Sequence, residues 1–257
     1  MIGVYDSGLG GLTVLAALRA AGVTADAVYF ADQAHVPYGD KTDAELHALL
    51  AANLAWLRDR GADAIVMGCN TSCAVAARRG WPDVAVPHGI ADLIANGAQA
   101  FADSAYARVA VIATVATVRS GAYGNAIRAV APHVDVLEVA APALVPLVEA
   151  GASESDEARA AVDAIVAALP AGVDAIVYGC THYPLLDAHF ARALPATARI
   201  DPAVHQARAV ARLALPPGTS RTTYVTNGDV VAFEANVRRW TGDTTGHVTA
   251  LVGASAR

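Results

Sequence analysis

Lysine is all but missing from this chain: Lys41 is the only one in 257 residues. No run of Lys or Arg offers an electrostatic footprint for nucleic acid or for an anionic membrane surface, and the net charge of -6 points the other way. Aromatic residues are scarce, and no uncharged apolar stretch approaches the roughly 18 residues that span a bilayer. Cysteine occurs only three times, an odd count with no Cys-x-x-Cys pair, which argues for reduced thiols over a disulfide frame or a redox motif. Met1 runs straight into an apolar segment with no basic leader or cleavage site, so a cytoplasmic chain is expected. Core-forming residues are plentiful: 55% of the chain is hydrophobic, enough for one large or two modest domains.

One device is written twice. Residues 63–69 read Asp, Ala, Ile, Val, Met, Gly, Cys, and residues 174–180 repeat this with only Met67 replaced, by Tyr178. Each copy is a short apolar run, then Gly, Cys and a polar pair, Asn70 and Thr71 or Thr181 and His182, as suits a buried strand ending in a turn. Similar apolar runs at 2–5, 27–30, 109–113 and 134–139 alternate with alanine-rich amphipathic segments, which predicts parallel sheets covered by helices. The run 2–5 leads into Asp6 and Ser7, and the run 109–113 leads into Thr114 and Thr117, so each half carries polar residues at two strand ends. The expected architecture is α/β: two pseudosymmetric parallel-sheet domains facing each other across a cleft, the first formed by 1–93 and 203–257, the second by 94–202. The tail predicts a helix at 202–213, a strand at 222–226, a helix at 230–240 and a strand at 247–251. Ligands of open α/β sheets lie outside the carboxyl ends of strands, so these loops should converge on one crevice.

Two thiols brought to one ligand from opposite sides could invert a stereocentre, one removing hydrogen while the other delivers it. An α-hydrogen is a far weaker acid than any side-chain base can match, so the developing carbanion needs electrostatic help. With no lysine in a motif turn to form a pyridoxal Schiff base, the chain's own dipoles must supply it. Asn70, Thr71 and Thr181, with the backbone N–H groups after each cysteine, could hold an α-carboxylate where charge grows. An ordinary thiol is only a few per cent ionised near neutral pH, so the removing cysteine needs a charged neighbour or a helix N-terminus, and the receiving one must keep its proton.

Several separated motifs together resemble the cofactor-independent glutamate racemases: Asp6, Ser7, Gly8, Leu9, Gly10, Gly11, Leu12 and Thr13; Pro37, Tyr38 and Gly39; Cys69, Asn70 and Thr71; Cys180, Thr181, His182, Tyr183, Pro184 and Leu185. The likeness runs from Gly3 to about Asp229 and departs at residues 86–93, where Pro87, His88, Gly89 and Ile90 replace a usual stretch ending in Glu, Pro, Gly. It implies interconversion of L- and D-glutamate without cofactor or metal, D-glutamate supply for peptidoglycan synthesis, and a homodimer. By the same resemblance Cys69 takes the proton from the D isomer and Cys180 from the L isomer. Asp6 would serve Cys69, while Glu149 and His182 would serve Cys180. Asp6 and Ser7 are expected at the ammonium group, Tyr38 and Gly39 at the distal carboxylate, and Thr114 and Thr117 as added hydroxyl donors.

Other readings stay open at this point. The two-thiol device is indifferent to side-chain length, so aspartate or another small dicarboxylate is an alternative substrate. Cys69, Cys180 and His182 could instead ligate a metal, or the chain could act through a surface, as a topoisomerase inhibitor does. Cys73 is expected one helical turn after Cys69 as a small buried hydrophobe. The glycines at 8, 10 and 11 read as a tight strand-to-helix turn, lacking the third glycine of a dinucleotide fingerprint. His35, His88, His133, His189, His205 and His247 fall outside the motifs.

Overall fold

The computed structural model describes residues 1–244, 246 and 248–251. Two all-parallel sheets organise them. The first contains β1 (Ile2–Asp6), β2 (Ala27–Ala31), β3 (Ala64–Met67) and β4 (Ile90–Ala91), and the second contains β5 (Arg108–Ala113), β6 (Asp135–Ala140), β7 (Ala175–Gly179) and β8 (Ala198–Ile200). Late in the chain, β9 (Thr222–Thr226) and β10 (Val248–Ala250) return to the first sheet, whose order is β10-β9-β2-β1-β3-β4; the second runs β6-β5-β7-β8. The segment β2-β1-β3-β4 thus has the same order as β6-β5-β7-β8, and the repeat seen in the sequence is a repeat of topology.

The central strands β1, β3 and β7 are buried along their whole length. A strand covered on both faces needs apolar side chains at every position, which is why these read as unbroken runs. The aspartates that open the two repeats do equivalent work. Asp63 pairs with the amino group of Met1 at the start of β1, and Asp174 accepts the N–H groups of Ala107 and Arg108 at the start of β5, at 2.8 and 2.9 Å.

Observed elements match the expected ones to within a few residues, with two additions. The edge strands β4 and β8 have two and three residues, too short for any periodicity to show. Residues 86–93, the stretch that departs from the racemase pattern, make β4 and the cap after it: Ile65 N donates to Gly89 O at 3.1 Å, and Asp92 caps the helix Leu93–Ala98. The expected helix at 202–213 ends at Val210, and the expected strand at 247–251 is observed at Val248–Ala250, with His247 outside the described residues. No helix among the described residues is long and apolar enough to cross a membrane.

Candidate active site

Both repeated turns open into one cavity of about 410 Å³ at the carboxyl ends of the strands. From the first sheet it is lined by Ser7, Tyr38, Gly39, Cys69, Asn70 and Thr71; the second contributes Thr114, Glu149, Cys180, Thr181 and His182. The two sulfurs are therefore delivered to one space by equivalent strands, β3 and β7. All three cysteines are free and buried, and Cys73, whose N–H donates to the Cys69 carbonyl at 3.1 Å, packs in the core behind. A larger hollow of about 860 Å³ lies beside β9, but it holds no thiol. Of the two arginines that line it, Arg19 is engaged by the carbonyls of Val23 and Ala25 at 2.7 Å each, and Arg221 lies 3.9 Å from Asp26.

The turns differ beyond the cysteine. Cys69 starts the ten-residue helix Asn70–Arg79, whereas Pro184 accompanies a short 3-10 turn, Tyr183–Leu186, after Cys180. Their partners differ too. The Cys69 thiol donates to Ser7 Oγ at 3.7 Å. Cys180 Sγ lies 3.6 Å from His182 Nδ1, and Nε2 of the same ring lies 2.6 Å from Glu149 Oε1.

Burial first, then the Asp6 carboxylate, push the Cys69 thiol up to about 11, and the approach of Ser72 and Ser7 offsets only part of this. Below that value the sulfur stays protonated. Iodoacetamide should accordingly label Cys69 about tenfold faster for each pH unit gained from about pH 7 to about pH 10, read by peptide mass spectrometry. A flat profile over that range would mean that the thiolate is already formed. For His182, burial disfavours the charged ring, but the Cys180 sulfur and the Glu149 carboxylate outweigh it and hold the imidazole well above its ordinary value.

Asp6 occupies a different place from the one expected. It is 1% exposed and does not line the cavity: Ser7 does. Its Oδ1 accepts the Gly8 N–H at 2.7 Å and its Oδ2 accepts the Thr181 hydroxyl at 3.3 Å, so it joins the two turns from behind the wall. Burial raises its carboxyl above the usual range, against the pull of His182 and the N–H groups of Gly8 and Gly11. Thr117 likewise sits behind Thr114, bonded to it at 3.0 Å. Thr114 in turn bonds Thr71 at 3.0 Å, hydroxyl to hydroxyl across the two sheets.

The glycines after Asp6 have a reason that local sequence does not reveal. A Cβ on Gly8 would stand 2.7 Å from Glu149 Oε1, and one on Gly10 would stand 2.5 Å from Thr181 Oγ1 and 2.6 Å from His182 Nδ1. These positions lack side chains because the opposing turn passes at contact distance. Gly10→Ala should displace Thr181 and His182 and lower kcat/KM by about tenfold or more, measured by circular dichroism of the product. Retention within threefold would show that the close approach is immaterial.

One buried donor is conspicuous. Asn70, 3% exposed, accepts from the Tyr123 hydroxyl through Oδ1, while its Nδ2 has no partner among the described residues. A buried amide N–H₂ left unpaired is costly unless a ligand completes it. Among the described residues no group of three or more His, Cys, Asp or Glu is arranged to hold a metal ion.

The sequence pattern does not single out Asp32 and Asn53: Asp32 and Tyr5 bind the outer end of Tyr38, and Asn53 donates to both of them. The Tyr38 hydroxyl donates to Asp32 Oδ2 and lies 2.6 Å from the Tyr5 hydroxyl, so it faces away from the cavity, leaving the ring and the backbone of 38–39 as the wall. The missed signal was available: Asp32 follows β2 as Ser7 follows β1, a polar residue at the carboxyl end of an adjacent parallel strand.

Paired parallel-sheet units, each bringing one buried thiol to a shared cavity, define an α/β protein of the racemase class. The pattern of the Asp/Glu/Hydantoin racemase family matches residues 13–214, and the chain belongs to that family. It is 41% identical over 251 residues to the glutamate racemase of Gloeobacter violaceus, covering 93% of this chain and 92% of that one. In structure it is similar to the glutamate racemase of Thermus thermophilus in complex with beta-chloro-D-alanine (34% identity, TM-score 0.80, 97% of this chain and 96% of that one). It is also similar to that of Francisella tularensis in complex with D-glutamate (26% identity, TM-score 0.87, 97% and 96%).

Proposed function

We propose that the chain racemises glutamate by moving a proton between two sulfurs, and that the product serves peptidoglycan synthesis. The observation that carries the reading is the pair of equivalent cysteines, from β3 and β7, lining one cavity with Asn70 Nδ2 left without a partner among the described residues. The glutamate racemases to which the chain is similar supply the substrate.

In one direction the Cys180 thiolate takes the α-hydrogen of L-glutamate as a proton, and the electron pair stays on the α-carbon and its carboxylate. The Cys69 thiol then gives its proton to the opposite face. Cys180 ends protonated and Cys69 ends as thiolate, the mirror of the starting state, and the reverse reaction runs from there. Asn70 Nδ2, the Thr71 hydroxyl and the first N–H groups of the helix Asn70–Arg79 hold the carboxylate where negative charge grows, beside Thr181, whose hydroxyl is held by Asp6. His182, held charged by the Cys180 sulfur and the Glu149 carboxylate, steadies the Cys180 thiolate and can hand it a proton; only after giving that proton up can the ring take one back. Asp6 acts from behind, through Thr181 and through its field on Cys69; Ser7 is the group that reaches the ammonium side. The wall formed by Tyr38 and Gly39 receives the distal carboxylate.

Residues 1–93 with 203–257, and residues 94–202, form the two lobes in this reading, and substrate binds where they meet. The likeness to the family also carries a homodimer, which sedimentation tests. A panel of single L-amino acids followed by circular dichroism tests the substrate. Glutamate should racemise at least tenfold faster than aspartate; an inert glutamate beside a reactive aspartate would overturn the substrate and leave the two-thiol chemistry standing.

A further inference from the structure

The cavity wall at residues 36–40 belongs to no strand or α-helix; a short 3-10 turn, Tyr38–Asp40, is all its regular structure, with another, Gln33–His35, just before it. What fixes it lies behind. Asp32 is fully buried, and its carboxylate is ringed by donors from separate parts of the chain. Oδ2 accepts from the Tyr38 hydroxyl and from Asn53 Nδ2 at 3.1 Å, the latter on the helix Asp43–Asp59. Oδ1 accepts from Asn227 Nδ2 at 2.5 Å, just past β9, and lies 2.6 Å from His35 Nδ1. Tyr5, on β1, closes the ring: its hydroxyl is 2.6 Å from that of Tyr38 and accepts from Asn53 at 3.3 Å.

An isolated carboxylate in such a place would be strongly disfavoured, and one surrounded by donors becomes a rigid hub, because charge-assisted hydrogen bonds are short and directional. The ring also explains why the residue is Asp. An Asn at 32 would bring an N–H₂ group among the Tyr38, Asn53 and Asn227 donors. Asn227 cannot turn over without cost, since its Oδ1 already accepts the Ala34 N–H at 2.8 Å. The bond to Tyr38 ends on the wall itself. Gly39 faces the opposite lobe there, a Cβ at that position lying 4.0 Å from Thr114 Cβ.

We propose that Asp32 is a positioning residue that sets the depth of the substrate cavity, holding the 36–40 wall through Tyr38 at the distance that suits the longer dicarboxylate. This rests on the reading of the cavity as the glutamate site. It assigns selection by chain length to a carboxylate that touches no substrate.

The test compares Asp32→Asn, Tyr38→Phe and the double variant with the parent chain on L-glutamate, D-glutamate and L-aspartate. Each single variant should raise KM for glutamate about tenfold, with kcat within about threefold, and lower the preference for glutamate over aspartate by a similar factor. The double variant should be no worse than Asp32→Asn alone, since both changes remove one bond. Amide hydrogen exchange at residues 38–40 should quicken by about tenfold in Asp32→Asn, a readout that needs no turnover. A lower melting temperature with unchanged KM and unchanged exchange would make Asp32 merely structural and overturn the proposal, as would effects that multiply in the double variant. If the parent chain turns over aspartate and not glutamate, the substrate reading fails; the exchange result and the KM for aspartate then still decide whether Asp32 holds the wall.

Discussion

Cys69→Ala and Cys180→Ala should each lower racemisation of glutamate by about 10⁴-fold or more, at the upper end of what a positioned acid or base supplies, because neither sulfur has a substitute on its face of the cavity. Circular dichroism measures the loss. The two variants should differ in a second assay. With one thiol left, a proton can be taken and returned on the same side, so α-hydrogen exchanges with solvent without inversion. In D₂O, Cys180→Ala should incorporate deuterium from D-glutamate only, and Cys69→Ala from L-glutamate only, as read by mass spectrometry. Racemisation within tenfold of the parent rate in either variant would remove the two-thiol mechanism.

His182→Asn and Glu149→Gln come next, with expected losses in kcat/KM of about 10³-fold and about 10²-fold. His182 bridges Cys180 and Glu149 at 3.6 and 2.6 Å, and the charge of the ring depends on both neighbours. Removing the ring takes away the proton reservoir beside one thiol. Removing the carboxylate charge leaves the ring in place but weakens its hold on the proton. Although the damage is on the Cys180 side, kcat/KM must fall by the same factor from either isomer, since mirror images in water have an equilibrium constant of unity. The one-sidedness should appear in kcat alone, measured separately from L- and D-glutamate. A loss under threefold in His182→Asn would reduce the ring to a packing role.

The glycine-rich loop shows how a motif can be legible while its cause is not. Gly8, Gly10 and Gly11 mark a tight turn in any reading of the sequence, yet Gly8 and Gly10 are bare because Glu149, Thr181 and His182 pass over them. The same holds for Asp6. Its position at the end of β1 is plain from the apolar run before it, but its burial behind Ser7, bonded to Thr181, depends on how the second sheet meets the first.

Sequence alone determined all strands but the short edges β4 and β8, the duplication and the two thiol-bearing turns, because a parallel strand buried on both faces imposes its apolar character residue by residue and a Gly-Cys turn ends it locally. Tertiary structure decided which partners each thiol has, that Asp6 stands behind the wall, and that Asp32 anchors Tyr38. Those choices rest on hydrogen bonds between groups far apart along the chain, Thr181 to Asp6 across 175 residues and Asn227 to Asp32 across 195. No local pattern encodes such pairs: they exist only once two sheets and a returning tail have packed.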